Sequence, residues 1–354
     1  MRKHISMTLV MVLLFSLVLS ACDLLPQPET DAFRVGMVTD VGGIDDRSFN
    51  ATAWRGIEMA EEELNVEGDF LESTAQPDYA PNLTHYINQD YDLIVTVGFL
   101  LADDTRDFAE ANPDFNFAIV DFAYDPPVEN IRGLVFATDE AAFLAGYAAA
   151  AATQTGIVAT FGGINIPPVS IFMVGFEHGV NYYNEQNGAN VQVLGWDTAA
   201  NTGVFVGNFD STDDGRRVAD EFLSEGADII MPVAGPVGLG SAEAVQQAGN
   251  AWIIGVDTDW TVSAPEYDAI ILTSVLKNMD IAVFDTIQMA AEPGFTTFGG
   301  ETYLGTLEND GVGIADVAPG TITADVEAEL DQIRQAIIDG EIDTGWAAYI
   351  GGLN

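Results

Sequence analysis

From residue 34 onward, short β-rich apolar runs alternate with amphipathic stretches of helical period, and few folds accommodate that order. A strand followed by a helix cannot close a hairpin. The helix must cross back over the sheet, which makes neighbouring strands parallel and covers both sheet faces. The spacing predicts strands at Arg34–Thr39, Leu93–Val97, Phe117–Val120, Leu134–Ala137, Gly156–Phe161, Val191–Leu194, Asp228–Met231 and Trp252–Val256. Helices are expected near 49–64, 102–111, 140–153, 170–185, 214–224, 240–248, 278–291 and 325–339. The expected fold class is therefore α/β. At 354 residues the chain is long for one core and sufficient for two lobes, and each half is a run of βα units.

Several strands run directly into an acidic residue or a glycine: Asp40, Asp121 and Asp257 follow three of them, and Pro232 to Gly235 follows a fourth. In open parallel sheets ligands sit at the carboxyl ends of the strands, where a rigid sheet aims the side chains. Carboxylates gathered along such an edge suit a ligand rich in hydroxyl or amine donors.

Composition narrows the ligand. Eleven Lys and Arg face 55 Asp and Glu, for a net charge of −44. Such a chain repels nucleic acid and disfavours phosphorylated ligands, because both need clustered cations. Only three histidines are present, so neither imidazole catalysis nor a His-built metal site is expected, and no cofactor is implied. Asp210 to Gly215 partly imitates a calcium loop, but its third position is Thr and Arg216 and Arg217 adjoin it; a turn and helix cap is expected there.

The first 22 residues have the pattern of an export signal: basic Arg2, Lys3 and His4, an apolar run from Met7 to Leu19, then Leu19-Ser20-Ala21-Cys22. The last four resemble a bacterial lipobox, in which the cysteine is lipidated and becomes the mature first residue. Cys22 is the only cysteine, so no internal disulfide can form. Residues 23–33 are expected to be a tether, and acyl chains on Cys22 would supply membrane affinity that the acidic body lacks.

The densest segment is the loop from Asp40 to Asn50. Gly42 and Gly43 permit close backbone approach, Asp46 or Ser48 can cap the following helix, and Phe49 offers a flat apolar face. It lacks the spacing and the lysine of a phosphate-binding loop. Lys277 stands out too: it is the one lysine after Cys22, placed between a strand-like stretch and a helix, in a chain that otherwise uses arginine. Its compact charge and three donors suit a pair of vicinal hydroxyls beside Asp257.

The 40–50 run resembles the D-x-G-G-I-N-D-K-S-F-N signature of the basic membrane protein family, the purine-nucleoside-receptor-like solute-binding lipoproteins of ABC importers, with Asp45 and Arg47 at the usual Asn and Lys positions. Similarity continues at Ile119–Phe122, Gly162–Val169, Gly175–Gly179, Ala234–Gly240, Gly255–Asp259 and Thr273–Lys277. The chain departs at Trp260, where the family often has Gln, and at Pro236, where it has a second Gly. It also departs at Ser170-Ile171, which replaces an Arg pair before Phe172, and near Met231-Pro232, where Phe-Gln is usual.

The resemblance implies a type I periplasmic-binding-protein fold, two Rossmann-like lobes with a ligand cleft between them. The implied lobes are 34–137 plus 278–300 and 138–275 plus 301–354. It implies a monomer that carries no catalytic group, binds a purine nucleoside or similar neutral molecule, and serves an ABC permease from outside the cell membrane. Asp40, Asp46 and Asp121 are implied as base-edge or cleft contacts, Phe49 and Phe172 as stacking rings, Gly235 as cleft wall, and Asp257 with Lys277 as a ribose clamp. Alternatives are another neutral polar ligand, such as a sugar or signalling molecule, and an extracytoplasmic nucleoside hydrolase.

Overall fold

The computed structural model describes residues 32–352; the export signal, Cys22 and the tether as far as residue 31 lie outside them. In chain order the elements are β1 (Phe33–Val38), α1 (Phe49–Glu63), β2 (Val66–Leu71), α2 (Tyr79–Asn88), β3 (Leu93–Val97), α3 (Ala102–Ala111), β4 (Asn116–Val120) and β5 (Ile131–Phe136). Then come α4 (Thr138–Ala152), β6 (Ile157–Gly162), α5 (Pro167–Asn187), β7 (Gln192–Leu194) and a small ribbon of β8 (Trp196–Asp197) and β9 (Thr202–Gly203). They are followed by α6 (Thr212–Ser224), β10 (Ile229–Val233), α7 (Val237–Ala248), β11 (Trp252–Asp257), α8 (Trp260–Ser263) and β12 (Ile271–Lys277). The chain finishes with α9 (Met279–Ala290), β13 (Thr302–Gly305), β14 (Val312–Ile314), α10 (Ala324–Ile338) and α11 (Trp346–Gly352).

The strands form two six-stranded sheets of matching order, β2-β1-β3-β4-β5-β13 and β7-β6-β10-β11-β12-β14. Pairing within them is parallel except between β12 and β14. The central strands are buried on both faces, as β3 and β10 show by being buried throughout. This explains their almost wholly apolar sequences. Each sheet reverses strand order between its second and third members, the switch point at which such sheets open a crevice.

Three connections join the sheets: β5 to α4, β12 to α9, and β13 to β14. The second-lobe segment expected to start at 301 therefore starts too early. β13 pairs with β5, Thr302 opposite Gly133, and extends the first sheet before the chain returns to β14. Phe33, expected in the tether, begins β1 opposite Val66. Four strands of the two six-stranded sheets, and both strands of the small ribbon, were absent from the sequence-based set. β2 is an edge strand of mixed polarity (VEGDFL), β13 and β14 are only 4 and 3 residues long, and β12 showed only as a strand-like stretch before Lys277.

Helix α4, which carries the first crossing, packs on α5 with the two backbones almost touching. A Cβ on Gly175 or Gly179 would collide with the carbonyl oxygen of Asp139 or Phe143. At the start of α4 the Thr344 hydroxyl donates to the Asp139 carboxylate, and burial pushes that carboxyl up to about 6.

A pH dependence follows. In the unfolded chain this carboxyl loses its proton near its ordinary 3.8, whereas in the folded protein it keeps it up to about 6. The folded state binds more protons in that window, so the stability contributed by Asp139 is full below it and declines as pH rises through it. Asp139→Asn should flatten that decline: between pH 4.5 and 7.5 its melting temperature should fall less than the parent's in scanning calorimetry. Parallel curves would exclude Asp139 as a source.

Candidate functional site

The β1–α1 loop is organised by one carboxylate. Asp46 accepts from the backbone N–H of Ser48 (2.9 Å), Asn50 (2.7 Å) and Ala51 (3.0 Å), and from the Asn50 side-chain amide (3.1 Å). It thus satisfies amides at the start of α1 and anchors Asn50. Of the two expected capping residues, Asp46 performs that role; the Ser48 hydroxyl instead donates to Asp257 Oδ2 at 2.6 Å. Burial pushes the Asp46 carboxyl up to about 6, against the pull of its backbone donors.

Asp40 is held beside it. Its Oδ1 accepts from the Tyr79 hydroxyl at 2.6 Å and from the Val41 amide at 2.7 Å, and burial raises its carboxyl above the ordinary range. Gly98, at the end of β3 with φ +122°, makes room for this carboxylate: a Cβ there would lie 2.5 Å from Asp40 Oδ2.

Asp121 and Asp257 stand at the ends of β4 and β11, equivalent strands of the two sheets, and both adopt φ 68°. Non-glycine residues rarely take this left-handed conformation, and such strain collects at functional sites. Each is held from the other lobe. Lys277 Nζ, at the end of β12, lies 2.6 Å from Asp121 Oδ2, with the two side chains only 3% and 8% exposed. Ser48 holds Asp257. Burial raises the Asp121 carboxyl and the ammonium beside it pulls it back. A third link between the lobes, Arg47 to Glu266 at 2.5 Å, is half exposed and adds little stability.

The lysine expected beside Asp257 is thus paired with Asp121. Asp257 lies next door, opposite Leu276 in the β11–β12 register. The ammonium is 4.9 Å from the Phe49 ring centroid, 5.4 Å from Phe136 and 5.9 Å from Phe172, within cation–π range of all three.

All eight expected cleft residues, Asp40, Asp46, Phe49, Asp121, Phe172, Gly235, Asp257 and Lys277, line one cavity of about 600 Å³ counting its mouth, within the range of small-molecule sites. Its walls come from both sheets: Gly98, Phe99 and Asn50 from the first, and Ile166, Val169, Phe209, Val233, Ala234 and Pro236 from the second lobe's elements. Sequence reasoning did not single out Phe99 or Phe209. Phe99 follows Gly98 at a strand end, the same signal that marked Asp121; Phe209 lies in a long loop that nothing in the sequence ties to the cleft. Trp260 is outside this wall. It is buried against Gly255 and Gly238, and its indole N–H donates to the Val256 carbonyl. Among the described residues no group of three or more His, Cys, Asp or Glu could hold a metal ion.

Four carboxylates, one ammonium and four aromatic rings line a cleft between two α/β lobes, the arrangement of a small-molecule binding site. Comparison with known proteins makes the class specific. The family model for PnrA-like ABC transporter substrate-binding proteins matches residues 33–345, and the chain belongs to that family. An uncharacterized lipoprotein of Pyrococcus abyssi is 32% identical over 329 residues, covering 90% of this chain and 78% of the relative. The ABC transporter nucleoside-binding protein BmpA of Lactococcus lactis is 28% identical over 326 residues, covering 87% and 88%. Among solved structures, an ABC transporter solute-binding protein from Aeropyrum pernix K1 superposes with a TM-score of 0.78 at 28% identity, covering 88% of this chain and 92% of that one. The expected family and fold class are both shown.

Proposed function

We propose that this protein captures a purine nucleoside in the interlobe cleft and delivers it to an ABC permease, held outside the cell membrane by lipid on Cys22. The observation that carries the reading is the convergence of Phe49, Phe172, Asp257 and Lys277, drawn from both lobes, on one cavity. Phe49 and Phe172 stack on the base; Asp257 and Lys277 bind the ribose hydroxyls; Asp121 fixes the ammonium and accepts from the ligand through its remaining lone pairs. Asp40 and Asp46 shape the first-lobe wall, and Asp46 orients the Asn50 amide toward its role as a base-edge partner. The four carboxylates make a nucleoside a better guest than its phosphate. The nucleoside-binding relative and the lipoprotein relative support the ligand class and the anchor.

Calorimetry with adenosine, inosine and guanosine against ribose, glucose and the 5′-monophosphates tests this directly. Nucleosides should bind, with sugars silent and each monophosphate weaker than its nucleoside. Binding of a free sugar with no nucleoside response would overturn the ligand class. Cys22→Ala should move the protein from the membrane to the soluble fraction; an unchanged distribution would remove the anchor.

A further inference from the structure

Behind the cleft lies a second cavity, of about 570 Å³ counting its mouth. It shares four wall residues with the cleft, Phe99, Asp121, Pro168 and Lys277, so the ion pair between Asp121 and Lys277 forms part of the partition between the two. The annex lies on the hinge side: Phe136 and Thr138 flank the first connection between the lobes and Lys277 ends the strand before the second. Beyond the shared pair its walls are largely apolar, with Phe122, Val135, Phe136 and Ile171 among them and the Thr138 hydroxyl and Trp346 indole as the side chains with polar atoms. The Lys277 ammonium has Phe49 and Phe172 on its cleft side and Phe136 on its annex side.

We infer that this annex is a second subsite, which accepts an apolar substituent carried on the sugar of the bound nucleoside. The inference rests on the nucleoside reading above, in which Lys277 and Asp257 hold the sugar. With the diol held by Asp257 and the ammonium, the adjoining C4′–C5′ edge of the sugar lies along the partition, and a 5′ substituent extending past the ion pair enters the annex. A phosphate there would meet apolar rings and an ammonium already neutralised by the Asp121 carboxylate. An alkyl or alkylthio chain leaves water for an apolar surface instead. The specificity implied is for nucleosides whose 5′ position carries an uncharged, apolar group.

The test is a calorimetric series on the intact mature protein: adenosine and inosine, and their 5′-deoxy-5′-methylthio, ethylthio and butylthio derivatives. Each methylene buried in the annex should tighten binding about three- to fourfold. Ala123→Trp, placed at the annex wall and outside the cleft, should leave the parent nucleosides unchanged and abolish the gain with chain length. Should that variant fold poorly, Val135→Phe fills the same space from β5. Parent nucleosides that bind while affinity stays flat or falls along the series would overturn the annex and leave the nucleoside reading standing. No binding by any member would overturn both.

Discussion

Lys277→Met is expected to weaken nucleoside binding by about one to two orders of magnitude and to lower the melting temperature clearly. The binding loss follows from removing a charged donor from a desolvated site, where such hydrogen bonds contribute about 1.5–3 kcal/mol. The stability loss has a different origin. Asp121 is buried and loses its only ion-pair partner among the described residues, and an uncompensated buried charge costs about 3–5 kcal/mol. The two effects separate in the double variant Asp121→Asn/Lys277→Met, which removes both charges. Its melting temperature should recover most of the loss while nucleoside affinity stays low. Calorimetric binding and thermal melting on the parent and both variants decide the matter. A single variant that still binds like the parent would eliminate Lys277 as a ligand contact.

The second large effect is expected at Asp257. Its carboxylate receives the Ser48 hydroxyl from across the cleft and, in the proposed complex, ribose hydroxyls. Asp257→Asn is the informative substitution, because Asn also tolerates the left-handed backbone at this position, whereas Ala would add strain. Loss of the charged acceptor should weaken nucleosides about tenfold to a hundredfold while 2′,3′-dideoxynucleosides, which lack the diol, change little. If both ligand classes weakened equally, Asp257 would be acting on cleft geometry and not on the diol.

The cleft was legible in the sequence because its chemistry sits at strand ends. Asp40, Asp121, Asp257 and Lys277 each close a run of apolar residues, and a parallel sheet delivers all such ends to one edge. What was illegible depends on partners far away in the chain. Ser48 looked like a helix cap because it immediately precedes α1. Only the approach of the second lobe, 209 positions along the chain, assigns its hydroxyl to Asp257. Lys277 was placed beside Asp257 because its three donors suit a diol there and the resemblance implies that clamp, but its ion-pair carboxylate arrives from the other sheet, 156 positions away. The short strands β13 and β14 carry too few residues for a period to emerge, and β13 moves the last lobe boundary because its partner lies 169 positions upstream.

The matched strand orders have a consequence for how a guest can lie. Asp121 follows Val120, which faces Leu134; Asp257 faces Leu276. Counting one further along each neighbouring strand places Phe136 and Lys277 at corresponding points of the two halves, and these are the residues that meet, ammonium over ring. A receptor built from two like halves, with like carboxylates at corresponding ends, would be nearly indifferent to an end-for-end reversal of its guest. Exchanging a ring for a cation at this duplicated position, with Asp40, Asp46 and Phe49 supplied by the first lobe alone, removes that degeneracy and gives the crevice a head and a tail.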